Sequence, residues 1–370
     1  MKHPSAYLDW YIHMPKVKYD FRSSGLSFLK YDLMLGEVDL SINYANGNPE
    51  ATKLLAKRYS VKPENVFISS EGTSGQNVRL LRYLAEKSKK KEAIVEYPTY
   101  EPFLRQVQEY FPKVKQLERK ENDAYKLDST ALRKLISNKT GLFALTNPHA
   151  PSGVISNVNE LEEIFTVARE NDVYVLCDEI YAEFDRKTIP TVFSIDNELG
   201  IVTTSFTKAY GLGGLRFSIA LANEDIVKEL YSDALNTIGN SSNIVQLIAI
   251  ELLTRGKEKL EGHKRKWISL KNETERWLNE NCLEYFPNKA GITYWIKMPT
   301  KDTYQWINYH AIPKHSLAPV SGAFFLFKRD YRLVRTDKIR LGLGNINPDN
   351  PNLPEALETL EKAVNSYKHI

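Results

Sequence analysis

At 370 residues the chain is long enough for two or three domains, and 42% hydrophobic against 26% charged residues is the balance of a globular protein. That balance excludes long disorder and fibrous repeats. Fifty Lys and Arg against 46 Asp and Glu leave a formal charge of +4, too small an excess to imply nucleic acid or an anionic membrane as partner.

Two cysteines, Cys177 and Cys282, rule out a disulfide framework and a cysteine-rich zinc site, and fit a reducing compartment. The opening residues Met1 to Trp10 hold no apolar run of signal-peptide length, and no stretch reaches the ~18 apolar residues of a membrane span. The expectation is a protein in solution in the cytoplasm.

From about residue 48 to 222, short apolar runs alternate with longer amphipathic ones, the pattern of strands and helices in a mostly parallel sheet. The first clear helix covers Ala51 to Val61, with Asn48 as cap and Pro49 in the first turn, where a missing N–H costs nothing. Val66–Ile68 predicts a strand, Gly72–Gly75 a turn, and the next segment a helix ending near Ser88. Strand Ala93–Val95, a helix from Tyr100, a helix capped by Asp128, strand Gly141–Leu145 and a helix over 159–171 continue the series. Val173–Cys177, Ile201–Thr204 and Phe217–Ala222 are further buried strands. After residue 223 long helices take over, including a charged one from Lys257 to Asn281. Strand-like runs at Gly291–Ile296 and Lys338–Gly342 and a closing helix over 354–367 follow. The reading is an α/β chain with helices on both faces of the sheet: a large domain of residues 41–256, and a smaller α+β domain of 1–40 and 257–370.

Familiar signatures are missing. No P-loop, no HExxH and no complete dinucleotide fingerprint occur; Gly211-Leu212-Gly213-Gly214 lacks the third glycine and comes late in the sheet. Gly72-Thr73-Ser74-Gly75-Gln76 fails the G-x-S-x-G elbow at its last position. The histidines are scattered, so His149, His263 and His315 read as ordinary polar residues and no metal site is expected.

Ligands in a doubly wound sheet sit at the carboxyl ends of the strands, and five such ends carry unusual polar sets. They are Glu71-Gly72-Thr73-Ser74-Gly75, Tyr97-Pro98-Thr99-Tyr100, Thr146-Asn147-Pro148-His149-Ala150-Pro151-Ser152-Gly153, Asp178-Glu179-Ile180-Tyr181, and Ser205-Phe206-Thr207-Lys208 with Arg216 eight residues on. Each alone is weak, but in this order, from about Tyr44 to Arg340, the chain resembles the class I/II aminotransferases, pyridoxal-phosphate enzymes of fold type I. The resemblance implies pyridoxal 5'-phosphate as cofactor. It makes Lys208 the Schiff-base lysine and Asp178 the buried carboxylate at the ring nitrogen. Gly72, Thr73, Ser74, Ser205 and Arg216 become the phosphate cradle, Tyr100 the stacking ring, and Tyr181 the donor to the phenolic oxygen. The chemistry agrees: a Schiff base needs an amine, the ring an electron sink's counter-charge, and the phosphate backbone N–H groups and a planar guanidinium.

The same resemblance makes Arg340 the reader of the substrate α-carboxylate, Gly25 a backbone donor near the substrate, and Tyr44 a residue crossing a homodimer interface to the partner's phosphate. One position departs. The family motif N-P-x-N-P-[TS]-G has an asparagine where this chain has Ala150, and loss of that donor predicts a Schiff-base pKa displaced upward unless Tyr181 alone or a water compensates. The implied activity is amino-group transfer between an amino acid and a 2-oxo acid by a ping-pong scheme. Alternatives on the same cofactor are a decarboxylase, a carbon–sulfur lyase, or an oxidase or hydroxylase; a non-catalytic binding protein and a nucleotide-dependent oxidoreductase are the rivals from other classes.

Overall fold

The computed structural model describes residues 4–326, 331–349 and 352–367. Helix α1 (Ala6–His13) and the short strand β1 (Tyr19–Asp20) precede an extended stretch that leads to α2 (Pro49–Tyr59). Asn48 caps α2 by accepting from Glu50 and Ala51 N–H, and Pro49 takes the first helical position. Alternation then holds through β2 (Val66–Ser69), α3 (Gly72–Lys87), β3 (Glu92–Tyr97), α4 (Glu101–Tyr110), β4 (Lys113–Glu118), α5 (Ser129–Leu135), β5 (Thr140–Thr146), α6 (Val158–Asn171), β6 (Tyr174–Asp178), α7 (Val192–Ile195), β7 (Gly200–Thr204) and β8 (Ser218–Leu221).

These eight strands less β1 make a seven-stranded sheet in the order β2-β8-β7-β6-β5-β3-β4. Only β8 runs against the rest, pairing antiparallel with both β2 and β7. Strands β2, β5 and β7 are buried along their whole length because helices cover both faces. Leu55, Leu161, Phe165 and Leu252 pack on one face; Leu80, Leu84, Phe103 and Leu230 pack on the other. Strand β4 has no counterpart in the sequence reading. Its run Lys-Val-Lys-Gln-Leu-Glu is polar because it lies at the sheet edge with one side chain buried and the rest partly or fully in solvent.

Helices α8 (Glu224–Ile238), α9 (Asn243–Thr254) and the 24-residue α10 (Lys257–Glu280) lead to a second sheet. It contains β9 (Tyr285–Phe286), β10 (Thr293–Lys297), then, beyond α11 (Thr303–Trp306), α12 (Ile312–His315) and β11 (Leu317–Ala318), strands β12 (Val320–Ser321) and β13 (Lys338–Gly342). The order is β12-β13-β10-β9, all antiparallel, and α13 (Leu353–Tyr367) closes the chain. A third apolar core joins this sheet to Tyr7, Trp10, Tyr19, Phe21 and Leu26 from the amino-terminal segment. Strand β1 pairs in parallel with β11, which ties the first residues to the last third of the chain.

Candidate active site

The polar groups of five strand ends converge at the carboxyl edge of the large sheet. Asp178 closes β6, buried; its Oδ2 accepts from Asn77 Nδ2 at 3.2 Å and its Oδ1 from Ile180 N at 3.1 Å. Asn77 in turn accepts from Thr203 Oγ1 at 2.7 Å, so a buried Thr203–Asn77–Asp178 chain fixes the carboxyl. Burial pushes the Asp178 carboxyl up to about 6, against the two hydrogen bonds and the nearby Lys208 cation, which pull it down. A carboxyl so placed is short of positive charge, and a protonated ring nitrogen supplies it.

Lys208 sits in the turn after β7. Burial lowers its amine below the ordinary lysine value, with Arg340 and Arg216 acting in the same direction and the Tyr7 and Asp178 groups opposing. An amine that gives up its proton readily is a nucleophile and a base. Its Nζ donates to Ser24 Oγ at 3.2 Å. Burial raises the phenol of Tyr181, and the neighbouring Ser24 hydroxyl opposes that rise.

The start of α3 is built for an anion. No side chain caps the helix, and Gly72 adopts φ +71°, in the left-handed region open to glycine. A Cβ added at Gly72 would lie 1.9 Å from Arg216 Nη2, so the glycine makes room for the guanidinium. Gly72 N donates to Arg216 O at 2.7 Å, and Arg216 itself is in the left-handed conformation. The Thr73 hydroxyl is buried without a partner, Ser74 is exposed beside it, and Ser205 is buried with its hydroxyl accepting from Thr207 N at 3.2 Å. An orphaned hydroxyl, uncapped N–H groups and a fork-shaped cation fit a phosphate. With Lys208 and Asp178 they fit pyridoxal 5'-phosphate as a whole.

Arg340, from β13, is the buried cation on the opposite side. Its Nη2 donates to Tyr7 OH at 3.0 Å and to Arg22 O at 2.7 Å, while its Nε has no partner. Tyr7 meets the Tyr100 ring edge-on at 5.9 Å between centroids, and burial lifts the Tyr100 phenol well above its usual range. A small cavity is lined by Tyr100, Ala150, Tyr181, Asn288 and Arg340, with Arg340 its one cation among the described residues. Gly25 lies against the lysine: a Cβ there would be 3.0 Å from Lys208 Cδ. Tyr44 is apart, half-exposed in the loop before α2, where among the described residues no hydrogen bond of its side chain reaches the Lys208 group. Both ring nitrogens of the buried His149 are engaged, with Ser152 Oγ at 2.6 Å and Pro98 O at 2.8 Å.

Three site residues were not legible in the sequence. Asn77 follows Thr73 by four and so shares its helix face, a signal that could have found it. Ser24 and Tyr7 reach the site only through tertiary packing, from a segment with no strand-end pattern.

The family pattern described as Aminotransferase class I and II matches residues 38–340. Curated relatives include a histidinol-phosphate aminotransferase of Methanococcus aeolicus, 25% identical over 66% of this chain and 64% of that protein. One from Thermoanaerobacter pseudethanolicus is 29% identical over 56% of this chain and 58% of that protein. The chain therefore spans a little under two thirds of the length of the curated relatives it matches. Among solved structures, a PLP-dependent aminotransferase from Streptococcus suis superposes with TM-score 0.83 at 22% identity over 99% of both chains. The aspartate aminotransferase of Thermus thermophilus with maleate gives 0.74 at 19% identity, over 86% of this chain and 82% of that one. These likenesses establish the fold type I architecture, and with a pattern that runs from before α2 to Arg340 itself, the chain belongs to the class I and II aminotransferase family.

Proposed function

We propose that the chain is a pyridoxal-phosphate-dependent aminotransferase that moves an amino group between an amino acid and a 2-oxo acid in two half-reactions, the second reversing the first. The observation that carries this reading is the convergence of a depressed amine, Lys208, a buried carboxyl pushed upward by desolvation, Asp178, and a buried arginine whose Nε has no partner, Arg340. When bound, the cofactor supplies an electron sink for charge developing at the substrate α-carbon.

The residues divide the remaining work. Arg340 grips the substrate carboxylate with its fork and orients the α-carbon towards Lys208. Lys208 takes the α-proton as general base and returns it as general acid. Asp178 keeps the ring nitrogen protonated; Gly72, Thr73, Ser74, Ser205 and Arg216 hold the phosphate. Tyr100 covers the ring, Tyr181 donates to the phenolic oxygen, and Gly25 lends backbone polarity beside the lysine. In a homodimer Tyr44 completes the partner's phosphate site. A cavity at Ala150 with Arg340 as its one cation among the described residues suits a substrate with a single anionic group near the reacting carbon.

A large domain of residues 41–256 and a small one of 1–40 and 257–370 is supported by the two separate sheets and by the amino-terminal residues packed in the second core. Two unpaired cysteines, one buried and one exposed, support a reducing cytoplasm; no helix among the described residues is long and apolar enough to cross a membrane. The test is a panel of amino acids with pyruvate or 2-oxoglutarate. Stoichiometric loss of the oxo acid with gain of its amino counterpart is expected; release of CO2 or uptake of O2 instead would assign the site to a lyase or oxidase.

A further inference from the structure

Residues 22–26 cross the site between the second sheet and the Lys208 turn, and both sides pin them. On one side Gly342 N donates to Phe21 O at 2.8 Å and Gly344 N to Ser23 O at 3.1 Å. The approach is so close that a Cβ on Gly342 would lie 2.2 Å from Ser23 O, and one on Gly344 2.0 Å from Gly25 O. On the other side Leu26 N donates to Lys208 O at 2.9 Å. Ser24 is thus held by main chain, is buried, and accepts from Lys208 Nζ at 3.2 Å, near enough to Tyr181 to influence its phenol.

The turn where the family motif has an asparagine offers no substitute. Ala150 presents a methyl group. Thr146 Oγ1 is taken by Ala150 N at 2.8 Å and by Glu96, the Asn147 amide is tied to Ser156 through both its oxygen and its nitrogen, and His149 and Ser152 bond each other. A serine hydroxyl has one proton and two lone pairs, so it can accept from an amine while keeping a second hydrogen bond to a phenol.

We propose that Ser24 is a further catalytic residue: its hydroxyl accepts from the reacting amine of Lys208 beside the Tyr181 phenol, in a site where the Ala150 turn presents only a methyl group. The proposal rests on the aminotransferase reading and is testable apart from it.

The parent protein is compared with Ser24→Ala, Ser24→Cys and Ser24→Thr in two measurements. In protein stripped of cofactor, the rate at which acetic anhydride modifies Lys208 is followed by peptide mass spectrometry across pH. Loss of an acceptor for the charged amine should lower the midpoint by roughly half a pH unit or more in Ser24→Ala. Ser24→Cys keeps the volume with a weak sulfur acceptor and should follow it, while Ser24→Thr, which keeps the hydroxyl, should restore the parent value. In protein loaded with pyridoxal phosphate, the pH midpoint of the visible band should move in the first two variants and return in the third. Parental midpoints in both Ser24→Ala and Ser24→Cys would overturn the role of Ser24. Failure of borohydride to fix the cofactor on Lys208 of the parent would instead overturn the aminotransferase reading, and the acetylation midpoints would still decide on Ser24.

Discussion

Asp178 has to be buried and ready for charge at once, and its titration shows the conflict. Its folded value of about 6 lies above the ordinary 3.8, so between those limits the folded chain binds the proton that the unfolded chain has lost. Stability of the cofactor-free protein therefore falls as pH rises through that window, by roughly 3 kcal/mol, and stays low above it. Asp178→Asn should remove this fall, which denaturant titrations at pH 4.5 and 7 would show; an unchanged fall would assign it to other groups. At Arg340 the fork geometry is the point. Arg340→Lys should lower kcat/KM for carboxylate substrates about 10- to 100-fold, chiefly through KM, because a lysine cannot make two parallel bonds. Lys208, Asp178 and Arg340 could be picked out in the sequence through the family resemblance, helped for Lys208 and Asp178 by the plain apolar run of the strand before each. Ser24 and Tyr7 could not, since nothing local marks a serine or a tyrosine whose partner lies 184 or 333 residues away.

Among the elements, helix α1 is fastened by one carboxylate in addition to the apolar core that takes Tyr7 and Trp10. Glu101, buried at the start of α4, accepts from Ser5 Oγ and Tyr7 N at 2.7 and 2.8 Å and from Arg105 Nε at 2.9 Å. Glu101→Ala removes all of these and leaves the buried Arg105 without its pair, so α1 should loosen and shift Tyr7 relative to Arg340. Limited proteolysis before residue 20 should quicken and KM rise, while a variant cut no faster than the parent would contradict this anchoring. The opening of α3 makes the complementary case. Gly72→Ala places a methyl group on the Arg216 guanidinium and demands a left-handed alanine, and the affinity for pyridoxal phosphate should fall at least tenfold by fluorescence titration. Most helices and central strands could be read from caps and apolar runs: Asn48 and Asp128 cap the helices expected of them. Strand β4 escaped because an edge strand in solvent has no apolar run to betray it.

At the scale of the molecule, the site draws on two sheets. Lys208 and Asp178 come from the large sheet, Arg340 from the small one, and the segment around Ser24 spans the gap. A homodimer would add the partner's Tyr44; light scattering should then give twice the 42.5 kDa chain mass, and Tyr44→Phe should weaken cofactor retention without dissociating the dimer. The most direct test of the whole account is borohydride reduction of the protein loaded with pyridoxal phosphate, followed by peptide mass spectrometry, beside Lys208→Ala. A cofactor fixed to Lys208 in the parent, with loss of the yellow band and no adduct in the variant, is the predicted result. A cofactor fixed on another lysine, or a variant that transaminates as fast as the parent, would contradict it.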